Sequence, residues 1–66
     1  MVNMIGKNIR NFRAKSGISQ DRLSKLADLS LNTIVKVESG RNPNPTIQTL
    51  NKIARCFKVK VDDLIK

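Results

Sequence analysis

The feature that most restricts the fold is a pair of short helical segments separated by very few residues. Ser19 and Ser30 each precede a run with helical apolar spacing, and serine is favoured immediately before a helix. The first run predicts a helix at residues 20–26, and the second predicts one at 31–38 that ends at Gly40. Helices joined by so short a turn must cross steeply, at about 90–120°, to bury both apolar sides.

The residues around this turn suit such a crossing. Ser24 and Ala27 are small and fall where the two segments would meet. Leu23, Leu26 and Ala27 would form the apolar, inward side of the first segment. The shared core of the two segments would comprise Leu23, Leu29, Ile34 and Val37. This is the helix-turn-helix pattern, in which the second helix stands out from the surface.

Helical signals also dominate the rest of the chain. Residues 4–15 predict a first helix, with Ile5, Ile9 and Phe12 inward, Asn3 as its cap and Gly17 at its end. The two X-Pro pairs of "RNPNP" predict an extended loop.

After this loop the sequence predicts two more helices. Thr46 would cap one at 47–57, and "VDDLIK" would form a last short turn of helix. The inward residues of these two segments would be Ile47, Leu50, Ile53, Ala54, Phe57, Leu64 and Ile65. The predicted fold class is therefore all-α, a compact five-helix bundle with residues 1–66 as one domain.

Charge and composition narrow the class of function. Thirteen Lys and Arg against five Asp and Glu give a net charge of +8, which favours an anionic partner such as nucleic acid, anionic lipid or an acidic protein. The plainer alternative is that the charge only aids solubility. No apolar run is long enough for a membrane span.

The residue types needed for most site chemistry are scarce. A single cysteine, Cys56, cannot form an internal disulfide, which suits a reducing cytoplasm. With no histidine and no glycine loop that could cradle phosphate, we expect no metal, no cofactor and no enzymatic activity. A chain this short also leaves no room for an effector domain, so we expect no small-molecule ligand.

Several motifs in order carry a resemblance to a known family. They are "IGKNIRNFRAKSGISQDRLSKLA", "NTIVKVESGRNPNPTIQTLNKIA" and "VKVDDLI". Over its whole length the chain resembles the Cro and phage-repressor (Xre-type) helix-turn-helix domains. The resemblance implies a lambda-repressor-like, five-helix DNA-binding domain that regulates transcription, usually as a repressor and a homodimer on a palindromic double-stranded operator. It also implies a cytoplasmic, nucleoid-associated protein encoded by a bacterium, archaeon or phage.

The resemblance implies a role for individual residues. Leu31, Asn32 and Lys36 fall on the base-reading positions of the third helix. The residues implied to meet the DNA backbone are Gln20, Ser30, Thr33, Arg41, Asn42 and Asn44. Independently of the family, Asn suits adenine, Lys suits guanine and Leu suits a thymine methyl group. The alternatives are an ordinary solvated helix face for Asn32 and Lys36, and partial core packing for Leu31.

The resemblance also implies an ion pair that stabilises the domain, and a dimer surface is expected on the last helix and the loop beside it. Arg13 and Glu38 match family positions that form an ion pair between the first and third helices; the alternative is two independent exposed charges. The expected dimer surface comprises Val59, Val61, Leu64 and Ile65, which could instead close the monomer's core.

Three positions depart from the family pattern. Asp28 stands where glycine is common in the turn, Arg22 stands where Glu would complete a capping box with Ser19, and Lys60 replaces a serine-like cap.

The alternative function is an antitoxin-like or other protein-interaction module that uses the same fold.

Overall fold

The computed structural model of the protein describes residues 4–66, and all regular secondary structure in that range is α-helical. In chain order the helices are α1 (Ile5–Ser16), α2 (Gln20–Leu26), α3 (Leu31–Ser39), α4 (Ile47–Phe57) and α5 (Val61–Ile65). The five predicted segments match these helices, and the differences are confined to helix ends. Asn3, the predicted cap of the first helix, lies outside the described residues.

Side-chain caps explain where three of these helices begin. The hydroxyl oxygens of Ser19, Ser30 and Thr46 accept hydrogen bonds from the backbone N–H three residues later, at 3.0, 3.1 and 3.1 Å. Each bond satisfies an N–H that has no partner within the helix. The start of α3 is therefore fixed by a local hydrogen bond that needs no tertiary contact.

The short α5 is held by bonds at both of its ends. Lys60 precedes it and has no side-chain acceptor, but Oδ2 of Asp63 accepts the Lys60 N–H at 3.0 Å. At the other end, Nδ2 of Asn8 donates to the carbonyls of Leu64 and Lys66, at 2.8 and 3.0 Å. These bonds tie α5 to α1, because Asn8 lies on the first helix.

Between residues 4 and 66, four residues adopt left-handed backbone conformations. Gly17 and Gly40 end α1 and α3 with φ of 68° and 82°, as their positions in the sequence predicted. Asp28, in the turn between α2 and α3, has φ of 56°, as expected for the residue that stands in place of glycine. Lys58, which follows α4, also has φ of 56°, and nothing in the sequence indicated it.

One apolar core joins all five helices. Its buried hydrophobic members are Ile9, Leu23, Ala27, Ile34, Val37, Leu50, Ile53, Ala54 and Leu64. The rings of Phe12 and Phe57 stack at its edge with centroids 5.6 Å apart. Ser24 on α2 and Ala27 directly after that helix are both buried, as expected for small residues where helices meet.

Three residues that were predicted to face inward are exposed instead. The exposed fractions are 52% for Leu26, 64% for Ile47 and 49% for Ile65. At 3.6 residues per turn, Leu26 lies roughly 100° and Ile47 roughly 70° from the centre of the buried side of its helix. In α5 the buried position is taken by Leu64, so the next residue turns outward.

Replacing Lys58 tests the cost of its backbone conformation. A non-glycine residue in the left-handed conformation destabilises the folded state by about 1–2 kcal/mol. Glycine avoids this strain, but its greater freedom in the unfolded chain lowers stability by about 0.4–1 kcal/mol. Lys58→Gly should therefore raise the free energy of unfolding in urea by about 0.5–1 kcal/mol. Lys58→Ala removes the same charge but keeps the strain; an equal gain in that variant would show that charge is the cause.

Candidate nucleic-acid interface

Helix α3 has a buried side and an outward side with different chemistry. Ile34 and Val37 are buried in the core. The three predicted base-reading residues are all exposed: Asn32 and Lys36 lie on the outward side, and Leu31 lies on its flank, where 42% of the residue's surface is accessible. The structure therefore gathers an aliphatic group, an amide and an ammonium on one accessible helix surface.

The hydroxyl groups of Ser30 and Thr33 lie at the N-terminal end of this surface. Besides capping α3, Oγ of Ser30 lies 2.8 Å from Oγ1 of Thr33, and one hydroxyl proton joins the two oxygens. The pair has a second hydroxyl proton, which has the chemistry to donate to an anionic oxygen. Ser30 is exposed and Thr33 half-buried, next to the predicted base readers.

The loop after α3 folds back onto the end of that helix. The Asn42 N–H donates to the carbonyl of Lys36 at 3.1 Å, and Oδ1 of Asn42 accepts the Asn44 N–H at 3.3 Å. The Arg41 N–H lies 3.4 Å from Oγ of Ser39. Arg41 and Asn44 are exposed, so their side chains extend the surface beyond α3, whereas the Asn42 side chain is partly occupied by the turn.

The structure brings Arg13 and Glu38 together as the ion pair that the sequence predicted. Nε and Nη2 of Arg13 donate to Oε2 and Oε1 of Glu38, at 2.9 and 3.1 Å. The Glu38 side chain is only 2% exposed, and that of Arg13 is 23% exposed. Two parallel N–H···O bonds to one carboxylate fix its orientation as well as its charge.

Two further residues, Gln20 and Arg10, donate hydrogen bonds to Glu38. Nε2 of Gln20 donates to Oε1 of Glu38 at 3.1 Å. Gln20, which the resemblance implies contacts the DNA backbone, is therefore also a partner of the buried carboxylate. Nη1 of Arg10 also donates to Glu38, at its backbone carbonyl oxygen. A carboxylate on an otherwise apolar helix side was the available signal that several donors would converge there.

A close approach of backbones joins α1 to the end of α3. A Cβ built on Gly6 would lie 2.6 Å from the Glu38 carbonyl oxygen and 2.7 Å from that of Val37. These distances are far below van der Waals contact, so α1 can lie this near only with glycine at this position. Together with Arg10 and Arg13, Gly6 makes α1 the element that anchors the last turn of α3.

The expected dimer surface is only partly accessible. Leu64 has no exposed surface and belongs to the core, so its inclusion in that surface was wrong: α5 needs one apolar residue to close the bundle. Val59 and Val61 are half-buried against the core, and Ile65 is 49% exposed. The accessible part of this surface is therefore centred on Ile65.

The described residues were also compared with the requirements of a metal site, a membrane span and a reactive thiol. Within residues 4–66, no three His, Cys, Asp or Glu side chains are grouped as a metal site, and each helix there is too short or too polar to span a bilayer. Burial raises the pKa of the Cys56 thiol, and its Sγ donates to the Lys52 carbonyl at 3.4 Å. Such a thiol is poorly nucleophilic and acts as packing.

The fold and this surface define the helix-turn-helix class of domain. The helix-turn-helix family matches residues 9–64, and the chain belongs to that family. An uncharacterized HTH-type transcriptional regulator of Archaeoglobus fulgidus is 43% identical over 56 residues, which are 85% of this chain and 79% of that protein. The HTH-type transcriptional regulator SinR of Bacillus subtilis is 31% identical over 62 residues, 94% of this chain and 56% of SinR.

Solved structures agree with this membership. The N-terminal DNA-binding domain of SinR from Bacillus subtilis superposes with a TM-score of 0.90 at 31% identity, covering 92% of this chain and 88% of that one. The P22 c2 repressor, solved in complex with a synthetic operator, gives a TM-score of 0.88 at 26% identity and covers 98% of this chain and 97% of that one. The likeness thus extends over nearly the whole bundle.

Because Gly6 lies against the end of α3, replacing it by alanine should change stability in the direction opposite to that expected from helix propensity. Alanine is favoured over glycine in a helix by about 1 kcal/mol. Gly6→Ala should nevertheless lower the free energy of unfolding by about 1–3 kcal/mol, because its methyl group overlaps two carbonyl oxygens. Asn11→Ala, at an exposed position of the same helix, is the matched control; equal stability of the two variants in urea would refute the contact.

Proposed function

We propose that this protein is a sequence-specific regulator of transcription that binds double-stranded DNA through the outward side of α3. The observation that carries the proposal is the two-sided α3: Leu31, Asn32 and Lys36 are exposed, while Ile34 and Val37 are buried in the core. A buried carboxylate in the last turn of α3 anchors the helix to α1. A helix that stands out in this way fits the major groove of B-DNA. The net charge of +8 suits a polyanionic partner.

The three side chains proposed to read bases each match a different base edge. The Asn32 amide can pair with N6 and N7 of adenine, and the Lys36 ammonium can donate to O6 and N7 of guanine. Leu31 offers an aliphatic contact to a thymine methyl group. A half-site read by α3 should therefore contain an adenine, a guanine and a thymine within one turn of the groove.

A second set of residues surrounds this reading surface and is proposed to contact phosphates. They are Gln20, Ser30, Thr33, Arg41, Asn42 and Asn44. Arg41 is the cation of the set, so it supplies attraction that does not depend on sequence. The neutral amides and hydroxyls donate hydrogen bonds that fix the depth and angle of α3 in the groove.

The proposal extends to a homodimer on a palindromic operator in the cytoplasm, acting as a repressor. One reading helix distinguishes few base pairs, whereas two related by a twofold axis read half-sites about one helical turn apart. In this arrangement Ile65, with Val59 and Val61 beside it, provides the apolar contact. Regulation then depends on protein concentration and on the arrangement of operators.

Selection of bound duplexes from a random pool tests the proposal directly. The expected outcome is an enriched, symmetric sequence with half-sites about 10 bp apart. The selected duplex should then bind more tightly than a scrambled duplex at every salt concentration. Equal affinity for the two duplexes would reject sequence-specific binding.

Alanine substitutions should separate base reading from backbone attraction. Asn32→Ala or Lys36→Ala should reduce the preference for the selected duplex by about 1–3 kcal/mol, because one bidentate or ionic base contact is lost. Arg41→Ala is the contrasting control: it should weaken selected and scrambled duplexes alike and lower the salt slope by about 1. A selective effect of Arg41→Ala would mean that the proposed roles are exchanged.

The dimer is tested at its exposed apolar residue. Ile65→Lys should shift the protein toward monomer in sedimentation equilibrium over a range of concentrations, because a charge would be buried in the contact. Ile47→Lys changes a more exposed aliphatic residue on another helix and should leave association unchanged. Unaltered association of the Ile65 variant would move the interface away from α5.

A further inference from the structure

The amide of Gln20 is already held in one orientation without DNA. Gln20 is the first residue of α2, is half-buried, and places Nε2 3.1 Å from Oε1 of Glu38. A carboxylate only accepts hydrogen bonds, so the amide must turn its NH₂ group, and not its oxygen, toward Glu38. The choice between the two ends of the amide is thus made by the protein itself.

The acceptor that holds Gln20 is itself fixed. Two N–H groups of Arg13 occupy the two oxygens of Glu38, and Arg10 holds the backbone carbonyl of the same residue. The side chain is 2% exposed, so solvent cannot substitute for these donors. Glu38 cannot turn away from Gln20 without breaking bonds to α1.

We propose that Glu38 is a positioning residue for DNA binding, acting through Gln20. One N–H of Nε2 donates to Glu38, and the second N–H of the same nitrogen donates to a DNA phosphate. The ion pair of α1 and α3 therefore contributes to DNA affinity through α2, in addition to holding α3 in place. This inference rests on the proposed function, because it names a phosphate as the partner of the second N–H.

Two physical arguments support this arrangement. Immobilising a flexible side chain on binding weakens affinity by about 2- to 10-fold, a cost that is avoided when the side chain is already held. The Arg13 guanidinium also neutralises the carboxylate, so a phosphate can approach Gln20 without facing an unpaired negative charge. Neither argument applies to Gln48, the other glutamine of the chain, which is exposed on α4.

A double-mutant cycle on DNA affinity separates positioning from a purely structural role. Arg13→Met with Glu38→Met removes the acceptor while keeping the net charge, and replacing a buried ion pair by apolar residues is often neutral for stability. Gln20→Met removes the amide alone. With Gln20 present, the paired replacement should weaken binding to the selected duplex by about 5-fold. In the Gln20→Met background the loss should be at least about 2-fold smaller, because only the effect that passes through α3 remains.

The same loss in both backgrounds would overturn the proposal, because the ion pair would then act only on α3. All variants are compared by circular dichroism and urea unfolding, so that affinities are read only from folded protein. If the wild-type protein prefers no duplex over a scrambled one, the proposed function fails instead, and the two failures are distinguishable.

A measurement on the unaltered protein tests the positioning even where a variant does not fold. Nitrogen-15 relaxation of the two glutamine side-chain amides compares Gln20 with Gln48 in the absence of DNA. The Gln20 amide should be ordered like the backbone and the Gln48 amide mobile, since only the first is expected to be held by a buried acceptor. Equal mobility of the two amides would contradict the proposal.

Discussion

A buried carboxylate at the end of α3 sets the arrangement of three helices. Glu38 lies in the last turn of α3, where the partial negative charge of the helix end opposes an added anion, and burial opposes it further. Arg13 and Gln20 satisfy the carboxylate, and Arg10 bonds the adjacent carbonyl. Because these donors come from α1 and α2, the carboxylate is satisfied only when all three helices are correctly placed.

This interaction contributes orientation more than stability. An apolar pair of similar volume could fill the same space at a comparable free energy. Apolar packing, however, is non-directional, whereas the two N–H···O bonds from Arg13 constrain the rotation of α3 about its own axis. This rotation determines which side chains of α3 face outward, so the network at Glu38 controls how the proposed reading surface is presented.

Local signals in the sequence were sufficient to predict the helices. Ser19, Ser30 and Thr46 cap them, and Gly17 and Gly40 end two of them, because these effects depend on neighbouring residues only. The spacing of apolar residues predicted less well which side chains are buried. It gives the direction of the buried side of a helix but not its width, which depends on the neighbouring helices, and Leu26 and Ile47 lie beyond that width.

The site was predicted unevenly for a related reason. Family motifs indicated Arg13 and Glu38, and their pairing is present in the structure. The bond from Gln20 and the close approach at Gly6 depend on how α1, α2 and α3 meet, which no local pattern encodes. The left-handed Lys58 was missed because lysine rarely adopts that conformation, so its residue type gave no indication.

The separation of the two sides of α3 has a consequence for how such a domain can diversify. Leu31, Asn32 and Lys36 are solvent-accessible, so substitutions there alter the outer chemistry while leaving Ile34, Val37 and Glu38 undisturbed. Copies of one scaffold could acquire different targets through a handful of codon changes, without a compensating change in the interior. A lineage of paralogues can thus drift apart in recognition while the architecture that presents the recognition helix is inherited intact.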